Sequence, residues 1–491
     1  MKQIKLSAYQ YYFLAILCLM MLSLAKTSAQ SKRPNVVIFS YDDLRPEIAA
    51  YGATEAITPH IDQLVKEGTR FNNAYISYPL CLPSRAAMLT GLRFDNQNFV
   101  KDLPVPEKVN KKDFLYFSMI DKQTTWPQAL HDAGYWTATR GKLYHGNVPR
   151  DHKQYWDVPG LTYTDPGPYS VSAELLKKVV DKGGVKEDVA KMLAGENGPG
   201  AIAYLSIDCQ DSELHEGSVA DEVIDYLTNQ RDKTKPFAIC AGFSRPHLPW
   251  VAPKKYFDMY PEDAGQLAPV PDGIEKIIHK KDQRPISANV WNESLTDEES
   301  KKMIRAYMAT TTYADAQMGR IIAALKESGE YDNTIIILWG DHGYMLSEHG
   351  LWQKNKDYQV SMRFPLIIKA PGFKAGQTCD RVVQNIDIYP TLLALTKVSK
   401  PSDVVFHGND LTPLLNNPKA KWDYVAHTSC TGKHGIITDQ YRFTDFGKGQ
   451  YELYDYVKDP GEWNDLSGDP KYAHVLEKMK QQLKQPTWNK Q

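Results

Sequence analysis

The nine residues NVVIFSYDD, Asn35–Asp43, decide how this chain folds. Val36, Val37, Ile38 and Phe39 form an apolar run with no polar alternation, the pattern of a strand buried on both faces. The run stops at two adjacent acids, Asp42 and Asp43, as a parallel strand does where its carboxyl end opens onto a site. TIIILWGDHG, residues 334–343, repeats the arrangement and ends in Asp341-His342. Between and beyond them, the strand-like FNNAYIS, GYWTATRGKLYH, PFAICAGFS and PLIIKAPG alternate with the helical patterns of HIDQLVKEG, WPQALHDAG and ADEVIDYLTNQ. From Asp297 to Ser328, Met303, Ile304, Tyr307, Met308, Met318, Ile321 and Leu325 recur at helical spacing. This alternation predicts an α/β fold: a large, mostly parallel sheet sandwiched by helices, with ligands bound outside the carboxyl ends of the strands.

From about Pro401 the texture changes to short alternating segments, YVAHTSC, HGIITD, YRFTDF and YELYDY, followed by the helical YAHVLEKMKQQLK. They predict a small antiparallel sheet closed by a helix. The expected organisation is a leader at 1–29, a catalytic α/β domain at 30–400 and a C-terminal α+β subdomain at 401–491. Residues 95–122 and 147–215 show little periodicity and read as loops that shape a site.

Lys2 and Lys5 precede an apolar run from Tyr11 to Ala25, and Thr27 and Ala29 are small residues spaced for cleavage. This is the pattern of a secretory signal, too short and wrongly flanked for a stable membrane span. An exported protein, periplasmic or secreted, is therefore expected. Removing this segment takes away three lysines and no acid, so the formal charge moves from −1 to −4. A mildly acidic protein of this kind is no nucleic-acid coat, and an anionic substrate would need positive charge gathered in one pocket. Five cysteines remain, Cys81, Cys209, Cys240, Cys379 and Cys430, with no metal-ligand spacing.

Adjacent acids at a strand end repel unless a cation neutralises them. Asp42-Asp43 or Asp341-His342 alone reads equally well as solvated loop residues; together, at two strand ends, they favour a divalent ion, and the carboxylates favour Ca2+ or Mg2+ over zinc. Cys81 is the second candidate. In CLPSRAAMLTG, Pro83 belongs in a first helical turn and Gly91 ends the helix, so the thiol lies near a helix N-terminus beside Arg85. From the residues alone it is a reactive cysteine or a structural one.

CLPSRAAMLTG resembles the signature of the type I sulfatases, Cys-x-Pro-Ser-Arg followed by Leu-Thr-Gly. NVVIFSYDDLRP, TPHIDQLVKEGTRFNNAY, GYWTATRGKLYH, PFAICAGFSRPHLPW, GDHGYMLSEHGLWQK and ELYDYVKDP resemble successive blocks of that family. The DDLRP, GK-x-x-H and RPHLPW forms are most similar to its iduronate-2-sulfatase branch. The resemblance implies an alkaline phosphatase-like fold and conversion of Cys81 to formylglycine (3-oxoalanine) by a formylglycine-generating maturase during export. It implies a Ca2+ held by Asp42, Asp43, Asp341 and His342 together with residue 81. Arg85 would support the formylglycine, and Lys142, His145, His247 and Lys354 would line the sulfate pocket. One hydroxyl of the aldehyde hydrate would attack sulfur, and the other would let a covalent sulfoenzyme collapse and expel sulfate. His247 is taken as the acid that protonates the departing sugar oxygen and His145 as orienting the hydrate, the reverse pairing being the alternative.

The expected function is hydrolysis of sulfate esters in a sulfated polysaccharide or its oligosaccharides. The substrate is either a uronate 2-O-sulfate of a glycosaminoglycan or an algal glycan such as ulvan. Two other readings stand beside it: a formylglycine-dependent phosphodiesterase or phosphonate hydrolase, and an inactive glycan-binding homologue.

Overall fold

A computed structural model describes residues 33–46, 48–52, 56–93, 119–161, 171–181, 204–271 and 296–484. The predicted leader, most of the 95–122 loop, and residues 162–170 and 182–203 of the second loop lie outside the described residues, as does the Asn-Glu-Ser glycosylation sequon at Asn292.

The strands are β1 (Asn35–Tyr41), β2 (Thr69–Tyr75), β3 (Trp136–Gly141), β4 (Val158–Pro159), β5 (Tyr204–Ile207), β6 (Phe237–Phe243), β7 (Trp250–Pro253) and β8 (Thr334–Gly340). They continue with β9 (Met345–Leu346), β10 (Trp352–Gln353), β11 (Leu366–Lys369), β12 (Gln377–Gln384), β13 (Ala426–Cys430), β14 (Lys433–Ile437), β15 (Tyr441–Gly447) and β16 (Gln450–Asp455). One sheet of eight strands runs in the order β12-β2-β11-β8-β1-β6-β3-β4. β1 lies at its centre, parallel to both neighbours, with Ile38 opposite Cys240 of β6 and Ile337 of β8. β11, the PLIIKAPG strand, runs antiparallel to β8 and β2.

The helices that matter most are α1 (Pro59–Glu67), α2 (Cys81–Thr90), α3 (His215–Asp225), α4 (Asp297–Glu327), α5 (Ile388–Thr396) and α6 (Ala473–Leu483). Alternation along β1 separates two cores. Val36 and Ile38 pack with Ala86, Met88 and Leu89 of α2 and Leu392 of α5. Val37 and Phe39 pack with Ile61 and Leu64 of α1, Val219 and Val223 of α3, and Met318, Ile321 and Leu325 of α4. Each fully buried side chain of this kind stabilises the sheet by roughly 1.5–3 kcal/mol.

The segments after Pro401 form the expected antiparallel sheet, in the order β13-β14-β15-β16, and Ile436, Phe443 and Leu453 pack on Met479 of α6. The first core extends past position 401, because Leu411, Leu414, Leu415, Ala426 and Ile437 belong to it. A helix at Ala173–Asp181 and strand β5, which pairs with β7, occupy parts of the chain read from sequence as loop. The five described cysteines are unpaired thiols. Among the described residues no helix is long and apolar enough to cross a membrane.

Asp315 ties α4 to α1. Thr58 precedes α1 without capping it through its side chain, and the Asp315 carboxylate instead accepts the amides of His60 (3.2 Å) and Ile61 (2.7 Å). Burial raises Asp315 to about 7, against those two hydrogen bonds. A folded value above the unfolded one means a contribution complete below about pH 4 and lost as pH rises through 7. Asp315→Asn cannot ionise, so the melting-temperature gap between wild type and variant is expected to narrow from pH 4 to 7. The change corresponds to at most roughly 4 kcal/mol; a pH-independent gap would show that Asp315 titrates alike in both states.

Candidate active site

Four neighbouring parallel strands, β8, β1, β6 and β3, deliver the site residues from their carboxyl ends. Tyr41 pairs with Gly340, which sets Asp42-Asp43 beside Asp341-His342. The Asp43 amide donates to Asp341 Oδ1 at 3.0 Å, and Asp43 itself sits in the left-handed region at φ 64°. β6 leads to His247, and β3 to Lys142 and His145. The strands come so close there that a Cβ on Gly242 would lie 2.4 Å from the backbone of Lys142.

Cys81 opens α2, whose end is the left-handed Gly91 at φ 72°, as the motif required. Its Sγ lies 3.2 Å from His342 Nε2 and 3.1 Å from Lys354 Nζ, and Lys354 Nζ is 2.6 Å from Asp43 Oδ1. Lys142 Nζ pairs with Asp42 Oδ2. His247 Nε2 is 3.9 Å from Asp43 Oδ2, and its Nδ1 lies 2.6 Å from the Leu248 carbonyl. Since a carbonyl only accepts, Nδ1 carries the proton and Nε2 faces the site.

The Cys81 thiol is buried at the start of α2. Burial first, and then Asp42, push the thiol far above its ordinary value, outweighing Lys354 and Lys142. Burial also works against ionising Asp42, but Lys142, His247 and Lys354 hold it well below the usual carboxylate range. Asp43 is raised, by burial and by Asp42, with Lys354 opposing. Burial and then Lys354 depress His247. His145 is lowered by desolvation and then Lys142, while its ring stands exposed at the rim.

Arg85 lies under the cluster and is fully buried. Its Nε and Nη2 both reach Asp341 Oδ2 at 2.9 Å, and Nη1 donates to Ser40 Oγ at 2.9 Å and to the Lys142 carbonyl. The arginine therefore supports residue 81 through the carboxylates. Sequence reading missed the layer behind this. Ser84 Oγ donates to the Asp341 carbonyl, and Asn385 Nδ2 donates to the Ser84 carbonyl and Oγ at 3.0 and 3.1 Å. Tyr307 of α4 donates to the Asp43 carbonyl at 2.8 Å. His349 packs within the fold, its ring centroid 4.2 Å from Tyr358 and 4.0 Å from Trp463.

Ligand atoms of Asp42, Cys81, Asp341 and His342 lie within 4.8 Å of one another, as do those of Asp42, Asp43, Cys81 and His247. Three buried carboxylates with one imidazole suit a hard divalent cation, and a carboxylate that burial holds up, such as Asp43, is one that a cation would bring down. The residues present fit Ca2+.

The fold is shared by solved sulfatases and phosphonate monoester hydrolases. An enzyme in complex with its substrate D-glucosamine-2-N,6-O-disulfate aligns with TM-score 0.66 and 23% identity over 92% of this chain and 97% of that one. The phosphonate monoester hydrolase of Agrobacterium radiobacter aligns with TM-score 0.70 and 22% identity, over 92% and 95%. The sulfatase family model matches residues 34–398, and the chain belongs to that family. A model for the C-terminal part of N-sulphoglucosamine sulphohydrolase matches residues 347–489. Curated relatives include a sulfatase of Formosa agariphila, 28% identical over 93% of this chain and 88% of its own. The iduronate 2-sulfatase of Mus musculus is 27% identical over 78% and 72%, and the N-acetylglucosamine-6-O-sulfatase of Bacteroides thetaiotaomicron 28% over 93% and 86%.

Two stability measurements check this site. Arg85→Leu strands Asp341 without its buried cation, and a loss of about 3–5 kcal/mol, read as a large fall in melting temperature, is expected; a shift within error would contradict the role given to Arg85. Saturating Ca2+ is expected to raise the melting temperature of chelator-treated protein, by about 2.7 kcal/mol at a hundred times Kd, and Asp341→Asn to abolish most of the rise. An equal rise in both proteins would place the cation elsewhere.

Proposed function

We propose that this sulfatase is a Ca2+-dependent enzyme, exported by its N-terminal leader, that hydrolyses sulfate esters of a sulfated saccharide at a formylglycine made from Cys81. The observation that carries the reading is the place of Cys81 Sγ, 3.2 Å from His342 Nε2 and 3.1 Å from Lys354 Nζ, among buried carboxylates at one strand edge. Residue 81 serves there as the precursor of the nucleophile. Conversion supplies a geminal diol, one hydroxyl to attack sulfur and one to release sulfate; bound Ca2+ supplies charge that makes that attack easier at neutral pH. Asp42, Asp43, Asp341 and His342 would hold the ion.

The remaining work falls to side chains in the chain itself. The Lys142 and Lys354 ammoniums are fixed by Asp42 and Asp43 and meet the sulfonyl oxygens, where preorganised charge counts most. His247 presents Nε2 toward the ester. An anionic sulfate beside the ring favours its protonated form, which then gives that proton to the departing sugar oxygen. His145 stands at the rim, placed to orient the attacking hydroxyl.

Relatives named for iduronate and N-acetylglucosamine sulfates support a saccharide sulfate as substrate. The 2-O-sulfated uronates of glycosaminoglycans and the sulfated rhamnose of ulvan-type glycans are the two substrate classes proposed.

Protein co-expressed with a formylglycine-generating maturase is expected to release sulfate, by ion chromatography, from terminal 2-O-sulfated uronates or sulfated rhamnose oligosaccharides. Cys81→Ala should fold and release none. Faster turnover of a phosphonate monoester by orders of magnitude, or glycan binding without sulfate release by fully converted protein, would overturn the proposal. Lys354→Ala should lose about 2–4 kcal/mol of transition-state stabilisation in kcat/KM, and an undiminished rate would remove it from the pocket.

A further inference from the structure

The turn that carries His247 is built around a guanidinium. Ser244–Trp250, SRPHLPW, joins β6 to β7, and inside it Arg245 is 2% exposed. Arg245 Nε donates to the Val251 carbonyl at 3.2 Å and Nη1 to the His247 carbonyl at 3.1 Å. The same turn is closed by the His247 amide donating to the Ser244 carbonyl (2.8 Å) and by the Trp250 indole donating to the Pro246 carbonyl (2.7 Å). From below, Glu216 in the first turn of α3, 1% exposed, accepts the amides of Ser244 (3.2 Å) and Arg245 (3.1 Å) on Oε1. Burial raises the Glu216 carboxyl, and the charge of Arg245 opposes that rise.

Neither residue reaches the reacting atoms, and both are withdrawn from water. Burying opposite charges gives little net stability, and apolar filling of the same volume often stabilises as well or better. What the pair supplies is direction. Arg245 fixes the carbonyl of His247 itself, Glu216 fixes the two residues that enter the turn, and the Leu248 carbonyl fixes the ring. Together these determine where Nε2 points.

We propose that Glu216 and Arg245 are positioning residues for the proton transfer made by His247, holding the SRPHLPW turn so that Nε2 meets the leaving oxygen. This rests on the reading of His247 as the proton donor. In the step concerned, a deprotonated hydroxyl of the residue-81 hydrate bonds to sulfur while the bond between sulfur and the bridging oxygen breaks, its electron pair going to that oxygen. The Nε2 proton passes to the same oxygen, and the imidazole is left neutral.

The test uses Ca2+-loaded, fully converted enzyme and a series of ring-substituted phenyl sulfates from 4-nitrophenyl to 4-methoxyphenyl. A nitrophenolate leaves with little proton assistance, whereas a methoxyphenolate depends on it. Glu216→Ala and Arg245→Lys are expected to lower kcat/KM for 4-methoxyphenyl sulfate by about tenfold or more, and for 4-nitrophenyl sulfate by less than about threefold. His247→Ala should show the same selectivity, and adding Glu216→Ala to it should cost little more. Glu216→Gln keeps an oxygen acceptor for both amides and should recover most of what Glu216→Ala loses. An equal loss across the series, or none, would reduce the pair to a structural role and overturn the proposal while leaving His247 as donor. A flat series for His247→Ala would overturn the donor assignment, and this inference with it.

Discussion

The carboxyl edge of the sheet depends on the Arg85 guanidinium. A cation with no access to water must be met by fixed partners, and Arg85 finds them on three strands: Asp341 after β8, Ser40 in β1, and the Lys142 and Leu143 carbonyls after β3. One side chain of α2 thereby sets the relative heights of the strand ends. Cys81 lies four residues earlier on the same helix, on the same face. The register that satisfies Arg85 also places residue 81 beside His342 and Lys354.

Charge explains why such an arrangement suits an anionic ester. Asp42, Asp43 and Asp341 stand against Arg85, Lys142 and Lys354, a cluster formally balanced in the protein alone. A divalent cation held by the carboxylates leaves the pocket with an excess of positive charge in a poorly solvated place. An excess of that kind is relieved by a bound anion, and it is most effective where negative charge accumulates during reaction. The chain as a whole carries a slight negative charge, so the attraction is local to the pocket.

The sequence made legible what is written in contiguous residues. The strand ending in Asp42-Asp43 and the strand ending in Asp341-His342 could each be read from an apolar run and its stop, while their parallel pairing, Tyr41 against Gly340, comes from the fold. The start of α2 could be read because Pro83 and Gly91 mark its limits. Other features depend on partners hundreds of residues apart. Asn385 reaches Ser84, Tyr307 reaches Asp43, and Glu216 reaches Ser244 through contacts that no local pattern encodes. Burial also raises the Cys81 thiol, an effect that the helix-start pattern around Pro83 does not announce. The antiparallel course of β11 was likewise hidden, since an apolar run of four residues carries no direction.

The position of Lys354 shows why the small C-terminal sheet belongs to the site's architecture. Gln353 and Asn355, on either side of it, both adopt positive φ, at 69° and 65°, a conformation that costs non-glycine residues about 1–3 kcal/mol and persists only when surroundings enforce it. Part of the enforcement comes from the approach to α2, where the Asn355 amide donates to the Pro79 carbonyl at 2.9 Å. The rest comes from the β13–β14 hairpin. Lys433 pairs with Asp357, and Cys430 Sγ lies 3.5 Å from Asn355 Oδ1. The Thr431 amide donates to Tyr78 Oη at 3.2 Å, and the Ser429 amide to the Ser77 carbonyl at 2.8 Å, just ahead of Cys81. The hairpin therefore grips the Lys354 loop and the segment entering α2 at once. The C-terminal family match begins at residue 347, before this loop and not at the antiparallel sheet, in keeping with the loop and the sheet acting as one unit. Lys354 keeps its ammonium between residue 81 and Asp43 because two parts of the fold hold its backbone in a shape it would not adopt alone.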